Sequence, residues 1–208
     1  TPVINPAYLH TFDSGVEAAH ADLFQKGLVG IVTPPGTPSQ AIKLAADLTR
    51  LLGAAPLFAD LLEIDGLMAA THTLPQLLAA ALLHATVGRP GWQEGRKVAG
   101  RPYATITGPI TQPSQAASLR AEALLNRENV LRVLDALIGS LLEMRTEIQN
   151  EDAPALDELL ADARRGREAW LKQRTMATWL EEKLPPSEMP TAAEVFGRLV
   201  GMGRRKNK

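Results

Sequence analysis

The stretch Thr71-His72-Thr73-Leu74-Pro75-Gln76 has residue types and spacing that could do chemistry. His72 and Gln76 are four apart, so on a helix their side chains share one face. Pro75 has no N–H, which leaves the carbonyl of Thr71 without its intrahelical donor. Such a break in an apolar helix is costly unless polar groups or a ligand satisfy what it exposes. The residues alone leave two readings open. One is a proline kink whose polar neighbours bond one another; the other is an imidazole and an amide, with Thr71 beside them, turned toward a small molecule. A second place is the basic cluster Gly95-Arg96-Lys97-Val98-Ala99-Gly100-Arg101. A guanidinium in a cleft takes a carboxylate in a two-pronged geometry that lysine cannot match. By itself, though, the cluster reads first as a solvated loop.

Other chemistries are disfavoured. The chain has no Gly-x-Gly-x-x-Gly and no Walker loop, hence no phosphate nest of either kind. His10, His20, His72 and His84 are not spaced with carboxylates as a metal site requires. The absence of cysteine removes disulfides, thiolate metal sites and cysteine nucleophiles, and suits a reducing cytoplasm. A net charge of -1 gives no general pull toward nucleic acid or an anionic membrane. Residues 1–9 have neither the basic nor the apolar region of a secretory signal. The first residue is Thr, which reads as a removed initiator or as a piece of something longer.

The elements that must position these residues are mostly helical. Aromatics make up 4% of the chain, so the core is built from Leu, Ala, Val and Ile, a composition that favours helix on helix. The first 60 residues differ. Leu28-Val29-Gly30-Ile31-Val32 predicts a strand closed by Thr33-Pro34-Pro35-Gly36. Ser39 is a candidate N-cap for a helix to about Leu52, ended by Gly53, and Pro56-Leu57-Phe58-Ala59 predicts another strand. One βαβ unit is too small to be a sheet domain. It reads as the end of an α/β domain.

From Asp60 on the pattern is helical. Between Asp65 and Arg89 no side chain is charged, which raises the question of a membrane span. Thr71, His72, Thr73, Pro75 and Gln76 interrupt the run and no aromatic belt flanks it, so a central core helix is expected instead. A Gly/Pro-rich loop, Gly88 to Pro113, precedes one long helix from Ser114 to about Gln149. That helix carries two apolar strips, Leu134, Leu137, Leu141, Met144 and Ile148 in one and Leu131, Ile138 and Leu142 in the other, so it packs on two sides and predicts a homodimer. A last helix runs from Ala155 to roughly Leu180 with Leu156, Leu159, Leu160, Trp170 and Leu171 on its buried face. After Leu184-Pro185-Pro186 a basic tail holds Arg198, Arg204, Arg205, Lys206 and Lys208, best read as a solvated terminus. The expected fold class is therefore mainly α: residues 1–60 the α/β remnant, 61–183 helical, and 184–208 the tail.

These residues also resemble a family. Ser14-Gly15-Val16-Glu17-Ala18-Ala19, Ala21-Asp22-Leu23-Phe24 and the strand ending in Thr33-Pro34 are similar to the stretch of prephenate and arogenate dehydrogenases after their H-P-M-A-G motif. Thr71-His72-Thr73-Leu74-Pro75-Gln76 resembles their S-H-L-P-[HQ] motif. Arg96-Lys97-Val98-Ala99 resembles T-R-I-A, and Asn126-Arg127-Glu128-Asn129-Val130 with the helices through Trp170 resembles the dimerisation region. The resemblance spans roughly Phe12 to Arg174.

It implies that residues 1–60 end a dinucleotide-binding domain and that 61–183 bind substrate and dimerise. The implied reaction is the NAD- or NADP-dependent oxidative decarboxylation of prephenate or arogenate in tyrosine biosynthesis, in the cytoplasm. His72, Thr71 and Gln76 would line the substrate pocket, and Arg96 would take a carboxylate of a dicarboxylate substrate. Two departures stand out. Thr1-Pro2-Val3 stands where H-P-M is expected, leaving His10 as the candidate catalytic base. The family's glycine-rich cofactor loop lies upstream of Thr1, so NAD or NADP is not expected to bind this chain alone. Two other readings remain: a non-catalytic helical dimer or small-carboxylate-binding module, and a related dehydrogenase of the β-hydroxyacid or ketopantoate type. The latter rests on fold analogy.

Overall fold

The computed structural model describes residues 2–11, 15–16, 19–110 and 113–177. The basic tail and the end expected for the last helix lie outside them. The fold is mainly helical with a small three-stranded sheet, as the sequence predicts. The chain divides into two compact units. One takes the described residues up to Leu61 and those from Ala163 on; the other is Leu62–Asp162.

The first unit holds the sheet, ordered β1 (Pro2–Val3), β2 (Leu28–Ile31), β3 (Ala55–Phe58). β2 and β3 are parallel, with Leu28 opposite Ala55 and Ile31 opposite Phe58. β1, a strand the sequence does not announce, runs antiparallel to β2. Gly27 is forced by that pairing, because a Cβ there would lie 2.3 Å from the Val3 carbonyl oxygen. The crossover is α1 (Ser39–Leu51). Ser39 is its first residue and not its cap: Pro38 occupies the cap and no side chain bonds there. Gly53, at φ +79°, ends the helix in the left-handed conformation that glycine adopts without strain. The helix turns small residues inward, Ala46 and Thr49, and leaves Leu44, Leu48 and Leu51 exposed.

In the 5–22 region, Tyr8 Oη donates to Asp22 Oδ1 at 2.6 Å and the Tyr8 and His20 rings stack at 4.5 Å. Asn5 is buried; its Nδ2 donates to the Asp22 carbonyl and its Oδ1 accepts from the Ala7 N–H. Donation to the Asp22 carboxylate, with burial and the nearby negative charge, holds the Tyr8 phenol above its ordinary pKa.

From Leu62 the second unit follows one helical run in three parts: α2 (Leu61–Met68), a π-turn (Ala69–Thr73) and α3 (Leu74–Thr86). Among the described residues this run, Leu61–Thr86, is long and apolar enough by length and composition to cross a membrane. As a core helix it is only partly covered. Ala69, Thr73, Gln76 and Ala79 are buried along one face, whereas Leu61, Leu62, Leu67 and Leu78 are exposed.

The stretch expected to be a loop folds as two short helices, α4 (Trp92–Val98) and α5 (Arg101–Thr107). Gly91 in the left-handed conformation and Pro102 in the first turn of α5 supply their starts. The expected single long helix is broken into α6 (Pro113–Leu125) and α7 (Arg127–Gln149). Asn126 makes the break. Its Nδ2 donates to the Asp65 carbonyl at 2.7 Å, and its Oδ1 accepts from Asn129 Nδ2. The core is small: Ala69, Val130 and Val133 are buried, with Leu74, Leu77, Ala123 and Leu134 against them. The second strip of α7, Leu131, Ile138 and Leu142, is half exposed, and so is Leu141.

α8 (Ala153–Met176) is divided between the units at Asp162 and Ala163. Leu160 and Trp170, expected in its buried face, are each about half exposed. In the first unit its end is held by Arg174, which is 6% exposed and donates to the carbonyls of Lys26 (3.1 Å) and Ile4. Burial pushes the guanidinium below its usual pKa. Bonds from a charged donor are the stronger kind. Arg174→Met is expected to cost about 2–3 kcal/mol in urea unfolding. A cost near zero would mean that the two carbonyls are equally well served without it.

Candidate functional site

Pro75 explains the π-turn. The Leu74 N–H reaches back five residues, to the Ala69 carbonyl, and position 75 has no N–H to offer. The ladder accommodates one extra residue here and returns to α geometry beyond it. Single-turn π segments inside α-helices are frequent at functional sites. His72 lies in this turn and is exposed, with no hydrogen bond to its ring among the described residues. Thr71 is exposed too, and its hydroxyl donates to the Leu67 carbonyl at 2.7 Å. Gln76 is buried, 8% exposed, and its Nε2 donates to the His72 carbonyl at 3.1 Å. The polar neighbours therefore do bond to backbone near the break, while the imidazole stays uncommitted.

Arg96 sits in the last turn of α4, in the same unit as His72. It is exposed, and its Nε donates to the Gln93 carbonyl at 3.3 Å. That bond uses the stem side of the guanidinium and leaves the terminal fork, the part suited to a carboxylate. Lys97 is paired with Glu94 at 2.7 Å, an exposed contact of little energetic weight. No hydrogen bond or ion pair joins His72 to Arg96 among the described residues. His10, in the first unit, is exposed beyond the 3-10 turn Pro6–Tyr8, with no side-chain hydrogen bond described.

Sequence reasoning missed what fixes α4 and α5. Tyr103 Oη and Thr86 Oγ1 are 2.8 Å apart, tying α5 to the end of α3, and Tyr103 meets the Trp92 ring at 5.7 Å between centroids. Trp92 is one turn before Arg96 on the same helix. The available signal was an isolated Trp and Tyr within a Gly/Pro-rich stretch, which a plain loop does not need.

The β2–α1 turn holds Pro34, Pro35 and Pro38, so three of its positions have no backbone N–H. Among the described residues no group of His and carboxylates could hold a metal ion.

Comparison with known proteins finds likenesses to both units. Residues 63–162 match the family model described as prephenate dehydrogenase, dimerization domain, almost the same span as the second compact unit. The fold extends further. The chain is similar to the crystal structure of Synechocystis arogenate dehydrogenase, with a TM-score of 0.65 and 20% identity over 77% of this chain and 58% of that one. Against prephenate dehydrogenase from Aquifex aeolicus the TM-score is 0.65, at 20% identity, over 81% of this chain and 57% of that one. The same enzyme in complex with hydroxyphenyl propionate and NAD+ gives 0.67, at 20% identity, over 77% and 56%. At such identities the likeness is one of fold. The chain spans less than three-fifths of the length of these structures. No curated protein matches it in sequence.

Tyr103→Phe is expected to cost about 1 kcal/mol of stability, the value of one ordinary hydrogen bond. It should also speed amide exchange in α4 and α5. Unchanged exchange there would show that α4 is held by something else.

Proposed function

We propose that this chain supplies the substrate-binding and dimerisation part of a prephenate dehydrogenase-like oxidoreductase, whose reaction is the NAD(P)-dependent oxidative decarboxylation of prephenate or arogenate in tyrosine biosynthesis. The observation that carries the reading is His72. An uncommitted imidazole stands on a proline-imposed π-turn, within a segment that matches the family's dimerization domain. Arg96 contributes a guanidinium fork for a substrate carboxylate, and His72 contributes a ring nitrogen for a substrate oxygen. Thr71 offers an acceptor beside it, its hydroxyl proton being given to Leu67. His10 is the candidate base for the ring-hydroxyl proton. When bound, the nicotinamide would accept the hydride.

The partner is a second copy of the chain. Ile138, Leu141, Leu142 and Ile148 repeat along α7 at helical spacing and are half or more exposed. Burying a leucine or isoleucine fully is worth about 1.5–3 kcal/mol, so this strip strongly favours a covered state. A second reading, a non-catalytic dimer that binds a small carboxylate, is favoured by Thr1-Pro2-Val3 standing where the H-P-M of the resembled family is expected.

Calorimetry with hydroxyphenylpropionate tests the site. Binding is expected, and Arg96→Ala should weaken it at least about tenfold, as loss of a charged hydrogen-bonding pair does. Absence of heat, or indifference to Arg96→Ala, contradicts the site; binding of the carboxylate with no response to NAD or NADP in the intact protein selects the second reading. Sedimentation at micromolar concentration should give a dimer, and Ile138→Glu combined with Leu142→Glu a monomer. A native monomer would remove the dimer from the proposal.

A further inference from the structure

We infer that Gln76 is a positioning residue: its side-chain amide locks the π-turn and so sets the direction in which His72 is presented. The inference rests on the proposed reading of His72 as a substrate-lining group and deepens it.

Two successive carbonyls in the turn lose their usual donors. That of Ala70 would take the Leu74 N–H, which goes instead to Ala69, and that of Thr71 would take an N–H that Pro75 does not have. A helix wall weakened twice in succession has little of its own to define its geometry. The next carbonyl is that of His72, and it receives the Gln76 side-chain amide at 3.1 Å. Gln76 stands in the first turn after the break, is buried at 8% exposure, and lies on the face that carries Ala69, Thr73 and Ala79. A side chain so placed is part of the core, not of the surface that His72 and Thr71 occupy. Its bond therefore ties the π-turn to the fixed part of α3.

The consequence for the site is angular. One residue of an α-helix spans about 100° of rotation, so losing or displacing the extra residue of the π-turn would swing His72 by that amount about the axis. An imidazole moved so far no longer faces the same ligand, although the helix itself survives. Gln76 would then act on binding only through His72.

The test uses the full chain with Gln76→Met, which keeps length and removes the donor. The readouts are the His72 imidazole resonances without ligand, amide exchange at Leu74, the thermal midpoint, and the affinity for hydroxyphenylpropionate with and without His72→Ala. The expected result is a shifted imidazole signal, faster exchange at Leu74 and a roughly fivefold weaker affinity, the factor one ordinary hydrogen bond carries. That loss should vanish in the His72→Ala background, as coupling through one residue requires. An equal loss in both backgrounds, or an unmoved imidazole signal, overturns the inference. If the native protein does not bind the probe, the proposed function fails on its own, and the ligand-free imidazole and exchange data still decide the role of Gln76. Should Gln76→Met not fold, Gln76→Glu, which keeps the shape and at neutral pH accepts only, carries the same readouts.

Discussion

One missing N–H, that of Pro75, governs the helical unit. In the most apolar run of the chain it removes a donor that no neighbouring backbone group can replace in register, and the run answers with a π-turn. The turn divides the run into α2 and α3 and places Ala69 and Thr73 inward. His72 is set on the outside. The core then forms where α7 meets this inward face, through Val130 and Val133 on Ala69. Asn126 belongs to the same arrangement, because its bond to the Asp65 carbonyl breaks α6 from α7 next to α2. A polar break in an apolar helix is thus matched by polar fastenings in the helices that cover it.

A core of small residues has a cost that appears on the surface. Ala69 and Ala79 allow close approach but bury little apolar area, while Leu131, Ile138, Leu141 and Leu142 stay half exposed. Each Å² of apolar surface in such a strip would contribute about 25 cal/mol if it were covered. In the other unit α1 shows a related inversion, with Ala46 and Thr49 inside and Leu44 and Leu51 outside.

Much of this was legible in the chain. The mainly helical class, the βαβ segment and the special character of residues 71–76 follow from periodicity and from the chemistry of proline. What was not legible depended on distant contacts. Nothing local marks Pro2 and Val3 as a strand, since their pairing is with β2. Asn126 sits in a strongly helical window, and only its bond to Asp65, 61 positions away, makes it a break. The helices α4 and α5 were hidden by glycine and proline, whose positions turned out to be helix starts. For the site, His72 and Arg96 could be nominated from type and spacing, but the exposure of the ring and the inward turn of Gln76 required the π-turn itself.

The crystal structure of Pro75→Ala bears most directly on the role of that proline. With an N–H restored at position 75, the run from Leu61 to Thr86 is expected to close into an uninterrupted α-helix, with His72 rotated about 100° from its native direction. A π-turn that persists unchanged at residues 69–73 would contradict the claim that the proline imposes it.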